Sequence, residues 1–222
     1  MQAQVADIRR GIMGELMIGY HGRGNVSYLS AAIGRCMAQY PQIRINAALL
    51  ETERLRQDLL AGEIDGVMIL APCIWDLQEM EHIVIARERP SVLLPAGHPL
   101  AGREAVELSD LREESFILYK REKSSQMFNA MLSLCARAGF APNISATGDN
   151  NVPLLVASGK GVGLYPTTIH GEPEEPMGTV RIPLMGEFPG YERVFAWRKG
   201  QQNPCLPAFC QILREESAQT AD

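Results

Sequence analysis

The chain has 222 residues, 21 basic against 26 acidic side chains, a net charge of -5 and 46% hydrophobic residues. That is enough apolar material for one large domain or two small lobes. The negative balance argues against a surface that grips a phosphate backbone, and no apolar run is long enough to span a bilayer.

Met1 to Ile12 has a helical composition without a partner strand, so it reads either as the end of a linker helix or as a frayed terminus. Met1 to Arg10 is polar and lacks the apolar stretch of a signal peptide, which points to the cytoplasm. Gly14-Glu15-Leu16-Met17-Ile18-Gly19 reads as a short buried strand, and the polar loop His21-Gly22-Arg23-Gly24-Asn25 follows it. A helix comes next, with Leu29, Ile33, Cys36, Met37 and Tyr40 spaced for one buried stripe and Asn25 or Ser27 as its cap. Ile43 to Leu50 is a second strand. Thr52 caps a second helix with Leu55 and Leu59 facing inward, and Gly62 sits at its C-cap. Ile64 to Leu70 is a third strand. Strands alternating with helices predict a parallel sheet, whose ligands bind beyond the carboxyl ends of the strands, where the loop from His21 to Asn25 falls.

After Cys73 the alternation breaks. His82 to Ala86 and Ser91 to Pro95 read as two strands, Gly97 to Gly102 as a turn, and Leu108 to Leu111 as a short capped helical turn. The alternation resumes with a strand at Phe116 to Tyr119. A helix capped by Ser124 or Ser125 carries Phe128, Met131, Leu132 and Cys135, and Gly139 closes it. A strand at Ile144 to Thr147 leads to a short helix capped by Asn150 or Asn151, with Pro153 in its first turn. Val162 to Pro166 is the next strand, and His170 to Pro176 is an acidic, proline-rich loop. Val180 to Leu184 and Tyr191 to Arg198 are late strands, and Pro207 to Glu216 is a final helix with Phe209, Ile212 and Leu213 inward. The fold class is α/β: two Rossmann-like lobes with a ligand cleft between them. The five cysteines lack CxxC spacing and read as reduced core thiols.

Five local patterns, in order at Gly14 to Gly19, Tyr40 to Ile45, Leu59 to Asp65, His98 to Leu100 and Val156 to Pro166, resemble the effector-binding domain of LysR-type transcriptional regulators, a type 2 periplasmic-binding-protein fold. The strand Gly14 to Gly19 resembles the family's opening strand, and Tyr40-Pro41-Gln42-Ile43-Arg44-Ile45 its step into the second strand. Leu59 to Asp65 resembles an L-x-x-G-x-L-D signature, and His98-Pro99-Leu100 the turn opening the second lobe. Val156 to Pro166 resembles a glycine-rich turn into a strand. The resemblance covers roughly Gly14 to Glu216, and agreement across five patterns is its strength. It implies an end of a linker helix at 1–13, lobe I at 14–90 plus 193–216, lobe II at 91–192 and a tail at 217–222. It also implies a homodimer or homotetramer, and DNA contact only through an N-terminal winged helix-turn-helix that this chain does not contain. The candidate dimer surface is the outer face of the first helix, including Arg35, Ala38 and Gln39.

Matched position by position, the resemblance places the effector against His21, Arg23, Gly24, Asn25, Thr52, Tyr119, Lys120, Arg121, Asn150, Asn151, Tyr165 and Pro166. Helix N-termini at Asn25, Thr52 and Asn151 would offer N–H groups to an anion. Arg23 would pair bidentately with a carboxylate or phosphate, or stand as a solvated loop arginine. Thr52 reads as ligand hydroxyl, plain cap or both. His21 reads as a sensor of ligand or pH, or as a packing residue. Lys120, Arg121 and Lys123 read as a small solvated basic run, and Tyr165 as core. The chain departs from the family where His21, Arg23 and Asn25 replace small Ser or Thr residues, and where Leu29-Ser30 replaces Leu-Pro. Effector specificity is therefore expected in that loop.

No nucleophile elbow, P-loop or complete dinucleotide fingerprint is present, and His21, His82, His98 and His170 lack metal-ligand spacing. The expected function is ligand sensing for a transcriptional regulator, with no catalytic residues, metal or cofactor. The effector is expected to be small, polar and anionic. A stand-alone solute-binding protein of the same fold is the alternative.

Overall fold

The computed structural model describes residues 13–73, 79–121, 125–148, 151–167, 178–188 and 190–219. The chain divides into unit 1, Met1–Arg87 with Glu192–Asp222, and unit 2, Glu88–Tyr191. It therefore passes between units twice, at Arg87/Glu88 and at Tyr191/Glu192.

Unit 1 begins with β1 (Met13–Tyr20), α1 (Val26–Gln39), β2 (Gln42–Leu49), α2 (Thr52–Ala61) and β3 (Gly66–Leu70). It is completed by the first half of β4 (Met80–Pro95), by β9 (Tyr191–Arg198) and by α5 (Leu206–Gln219). β1 pairs in parallel with β2 from Met13↔Gln42 to Tyr20↔Leu49, and with β3 at Ile18↔Gly66. β9 lies antiparallel to β3, with Leu70 opposite Arg193. All three parallel strands thus end at the same edge, where β9 begins.

Helical spacing explains α1: Leu29, Ala32 and Cys36 are buried on one face. Met37, expected inside, is 56% exposed, because it follows Cys36 by about 100° and falls off that stripe. The core joins Leu16, Ile18 and Phe195 from the sheet to Phe209, Ile212 and Leu213 of α5. Phe195 packs edge-on to Phe209, with ring centres 5.4 Å apart. The L-x-x-G-x-L-D pattern has a physical reading. Gly62 ends α2 in the left-handed region at φ 79°, which a Cβ would disfavour. Asp65 Oδ2 accepts from the Met17 N–H at 2.7 Å, and the Asp65 N–H donates to the Met17 carbonyl at the same distance.

Unit 2 contains the second half of β4, β5 (Ser115–Tyr119), α3 (Ser125–Arg137), β6 (Asn143–Gly148), α4 (Val152–Ala157), β7 (Val162–Thr167) and β8 (Thr179–Pro183). β4 pairs with both β7 and β8, and β5 pairs with both β6 and β7. Leu93, Ile117, Val152 and Val156 form a core cluster. The turn at Leu108–Leu111 carries a reciprocal capping box between Glu107 and Asp110.

The two strands expected at 82–86 and 91–95 are one sixteen-residue strand, β4. The polar run Arg87-Glu88-Arg89 and the following proline read as a break. Pro90 nevertheless stays in the ladder opposite Pro166, and its carbonyl accepts from the Leu184 N–H at 3.2 Å. Two capping expectations are also corrected. Helix α1 starts at Val26, so Ser27 lies inside it, and Asn25 holds the N-cap position without capping through its side chain. Helix α2 is preceded by Glu51, and Thr52 is its first residue. Asn151 holds the N-cap position of α4, again without a side-chain cap bond. The calls on Met1 to Ile12, Lys123, Ser124, Asn150 and the loop from His170 to Pro176 lie outside the described residues.

Candidate functional site

In unit 1 the predicted loop follows β1 directly. Gly22 has φ 78°, a backbone conformation that favours glycine, and Arg23–Asn25 form a 3-10 turn leading into α1. Gly24 is half-buried in the turn.

His21 is tied to its surroundings on several sides. Its N–H donates to the Met68 carbonyl at 3.3 Å, and its Nδ1 lies 3.0 Å from the Leu50 carbonyl. A carbonyl only accepts, so Nδ1 carries the proton and, in the neutral ring, Nε2 is left as an acceptor. Leu50 is two residues before Thr52, so the ring joins the loop to the start of α2. Thr52 is itself only 6% exposed.

Asn25 is fully buried, and its amide is used at both ends. Nδ2 donates to the His21 carbonyl, and Oδ1 accepts from Nη1 of Arg193. Arg193 is 4% exposed, and its guanidinium lies 5.7 Å from the ring centre of Tyr28. Taking a guanidinium out of water costs several kcal/mol unless hydrogen bonds replace the lost hydration. The amide oxygen and the ring supply part of that replacement. Because Asn25 turns inward, its side chain leaves the first-turn N–H groups of α1 unaddressed. That turn carries no acidic residue, whereas the first turn of α2 carries Glu53. The N-terminus of α1 is thus the more favourable of the two for an anion.

In unit 2, Tyr119 ends β5 and its ring meets that of Tyr165 edge-on, centres 5.7 Å apart. The Arg181 guanidinium lies 5.1 Å from the Tyr165 ring centre, and Ser91, fully buried, donates its hydroxyl to the Tyr165 carbonyl at 3.3 Å. Gly163 makes room for this ring: a Cβ there would lie 3.3 Å from Tyr165 Cε2. Lys120 is half-buried next to Tyr119. Arg121 is exposed, and its guanidinium is 5.9 Å from the Phe128 ring centre. Asn151 is exposed, and Pro166 sits in β7 opposite Pro90.

The structure therefore brings His21, Gly24 and Asn25 together beside the start of α2, and separately brings Tyr119 to Tyr165. It also adds residues that the sequence reading passed over. Tyr28, Arg181 and Ser91 are recognised through their partners. Arg193 left one signal, a charge at the start of the otherwise apolar run Val194 to Trp197. Among the described residues, no group of three or more His, Cys, Asp or Glu side chains could hold a metal ion, and no helix is long and apolar enough to cross a membrane.

The LysR substrate binding domain family model matches residues 9–218. The HTH-type transcriptional regulator AlsR of Bacillus subtilis (strain 168) is 30% identical over 220 residues, which cover 96% of this chain and 70% of AlsR. Among solved structures, CbnR, a LysR family transcriptional regulator, superposes with a TM-score of 0.79 at 20% identity, covering 96% of this chain and 73% of CbnR. The effector binding domain of QuiR in complex with shikimate superposes with a TM-score of 0.78 at 15% identity, covering 93% of this chain and 98% of that one. At these identities the two structures speak for the fold.

Proposed function

Since this chain belongs to the LysR substrate-binding domain family, we propose that it senses a small, polar, anionic effector and biases the assembly of a transcriptional regulator. The observation carrying the effector class is the N-terminus of α1, which follows the loop from His21 to Asn25 and has no acidic residue in its first turn. An anion placed there gains from the helix dipole and from N–H groups that no side-chain cap occupies. Arg23, from its place in the sequence, would supply charge. Thr52 and His21 would supply polar contacts, and Tyr119, Lys120 and Tyr165 belong to the proposal through the resemblance. Asn150, Asn151, Arg121 and Pro166 remain in the proposal only through the resemblance.

Differential affinity for two arrangements of the protein would turn binding into a population shift. The regulator would act in the cytoplasm as a homodimer or homotetramer and meet DNA through an N-terminal domain. On the candidate dimer face Met37, Ala38 and Gln39 are exposed, whereas Arg35 is engaged within unit 1 by Glu215 at 2.8 Å and Glu216 at 2.7 Å.

The test is a thermal-shift screen of shikimate, benzoate and small aliphatic carboxylates. A binder at a hundredfold over its Kd should stabilise the protein by about 2.7 kcal/mol. Arg23→Ala and Thr52→Ala should weaken that binder without unfolding the protein. Equal affinity in both variants would remove these residues from the site, and binding of amines or neutral sugars, screened beside the carboxylates, with no carboxylate binding would overturn the anionic class.

A further inference from the structure

Arg193 and Asn25 do more than satisfy one another. Asn25 divides its amide: the oxygen receives the buried guanidinium, and the nitrogen reaches back to the His21 carbonyl. His21 is the residue whose N–H is bound by β3 at Met68 and whose ring is bound at Leu50 beyond β2. Among the described residues the loop is tied to the sheet edge at Met68, at Leu50 and through Asn25, and the tie through Asn25 leads to β9. Arg193 is the second residue after the passage at Tyr191/Glu192, where the chain returns to unit 1. The Tyr28 ring covers the guanidinium, so the first turn of α1 belongs to the same cluster.

We propose that Arg193 is a positioning residue that sets the backbone of the loop from His21 to Asn25 through Asn25, and thereby couples that loop to the point where β9 re-enters unit 1. It need not touch an effector. A ligand that draws the loop outward pulls on the Asn25 amide, and the pull arrives at the start of β9. In the reverse direction, a displacement at the start of β9 changes the loop. That the loop receives an effector rests on the function proposed above; the tie itself does not.

The chemistry of Asn25 provides the separation needed. Asn25→Asp is nearly isosteric, keeps an acceptor for Arg193 and removes the donor to His21. Arg193→Met removes the guanidinium but keeps an apolar stem beneath Tyr28. Arg193→Lys keeps the charge with a single donor head. Residue-resolved hydrogen exchange on the ligand-free chain reads the result. In Asn25→Asp the loop loses its bond at the His21 carbonyl, and the His21 N–H, held separately by the Met68 carbonyl, should exchange about tenfold faster because the freed loop backbone opens more often. The Val194 amide should keep its rate. In Arg193→Met the His21 and Val194 amides should both speed up, and Arg193→Lys should recover part of the change. A His21 amide with the wild-type rate in Asn25→Asp overturns the proposal. So does an equal acceleration at Leu16, Ile18 and Val67, which would make the pair a general stabiliser. If Arg193→Met does not fold, Asn25→Asp and Arg193→Lys carry the test alone. Failure of shikimate, benzoate and other carboxylates to bind would strike the effector reading and leave the exchange result standing.

Discussion

Gly19→Ala tests how closely α2 is seated on β1 beside the loop. A Cβ at Gly19 would lie 2.3 Å from Leu55 Cδ2 and 2.7 Å from Ile64 Cδ1. Both are far inside ordinary van der Waals contact, and both side chains are buried, Leu55 at 0% and Ile64 at 2% exposure. Both atoms are terminal methyls of buried side chains, so a rotamer must strain or α2 must lift to admit the Cβ, at a cost of about 1–3 kcal/mol. Leu55 is one turn beyond Thr52, so a lifted α2 also misplaces that residue. The double-mutant cycle with Leu55→Ala isolates the cause. Leu55→Ala alone should cost about 2–5 kcal/mol through its cavity. In its presence the methyl introduced by Gly19→Ala enters vacated space, and the pair should cost about 1–2 kcal/mol less than the sum. Urea unfolding followed by circular dichroism measures all four proteins, and an unchanged slope assigns the difference to stability. Strict additivity, or a Gly19→Ala cost below about 0.5 kcal/mol, would refute the seating argument.

Gly62→Ala should cost about 1 kcal/mol in the same assay, because alanine must adopt φ 79° at the C-cap of α2. Asp65→Ala should cost about 1–3 kcal/mol, since the Met17 N–H loses its acceptor in a partly buried place. Burial pushes the Cys36 and Cys135 thiols up to about 11 from the ordinary 9.0. The unfolded chain therefore loses these protons first as pH rises, and binds fewer of them than the folded chain between about pH 9 and 11. Their contribution is complete below about pH 9, and each should then lower stability by about 1.4 kcal/mol per pH unit up to about 11. Equilibrium unfolding at about pH 8, 9 and 10 reads the slope, and Cys36→Ala/Cys135→Ala should reduce it, the buried Cys205 and Cys210 thiols, also pushed up, keeping the remainder. A thiol-specific chromophore should also label these two cysteines only after denaturant is added.

Much of the architecture was legible because it is written locally. Leu29 and Cys36 of the stripe expected at Leu29, Ile33, Cys36, Met37 and Tyr40 are buried, Gly62 marks a C-cap, and the strands of unit 1 alternate with helices. β4 was misread because proline and charge usually end a strand, and here the ladder continues through them. The two cap assignments failed for a different reason. Thr52 falls one residue inside α2, and Asn25 does hold the N-cap position, but its side chain answers to Arg193, 168 residues away. A demand made by a distant buried charge leaves no trace in local spacing. The same limit hid Arg181, whose role depends on Tyr165 across an intervening strand.

Because the chain leaves unit 1 at Arg87 and returns at Glu192, unit 2 is an insertion within unit 1. This imposes an order on synthesis at the ribosome. Residues 88–191 emerge as one uninterrupted stretch and can fold as soon as they are out. β1, α1, β2, α2 and β3 emerge earlier but cannot close their core, because Phe195, Phe209, Ile212 and Leu213 arrive last. At about 5–20 residues per second, the first half of unit 1 waits roughly 5–20 s with Leu16, Ile18 and Leu29 uncovered. That interval, and not the finished protein, is when this chain most needs a chaperone.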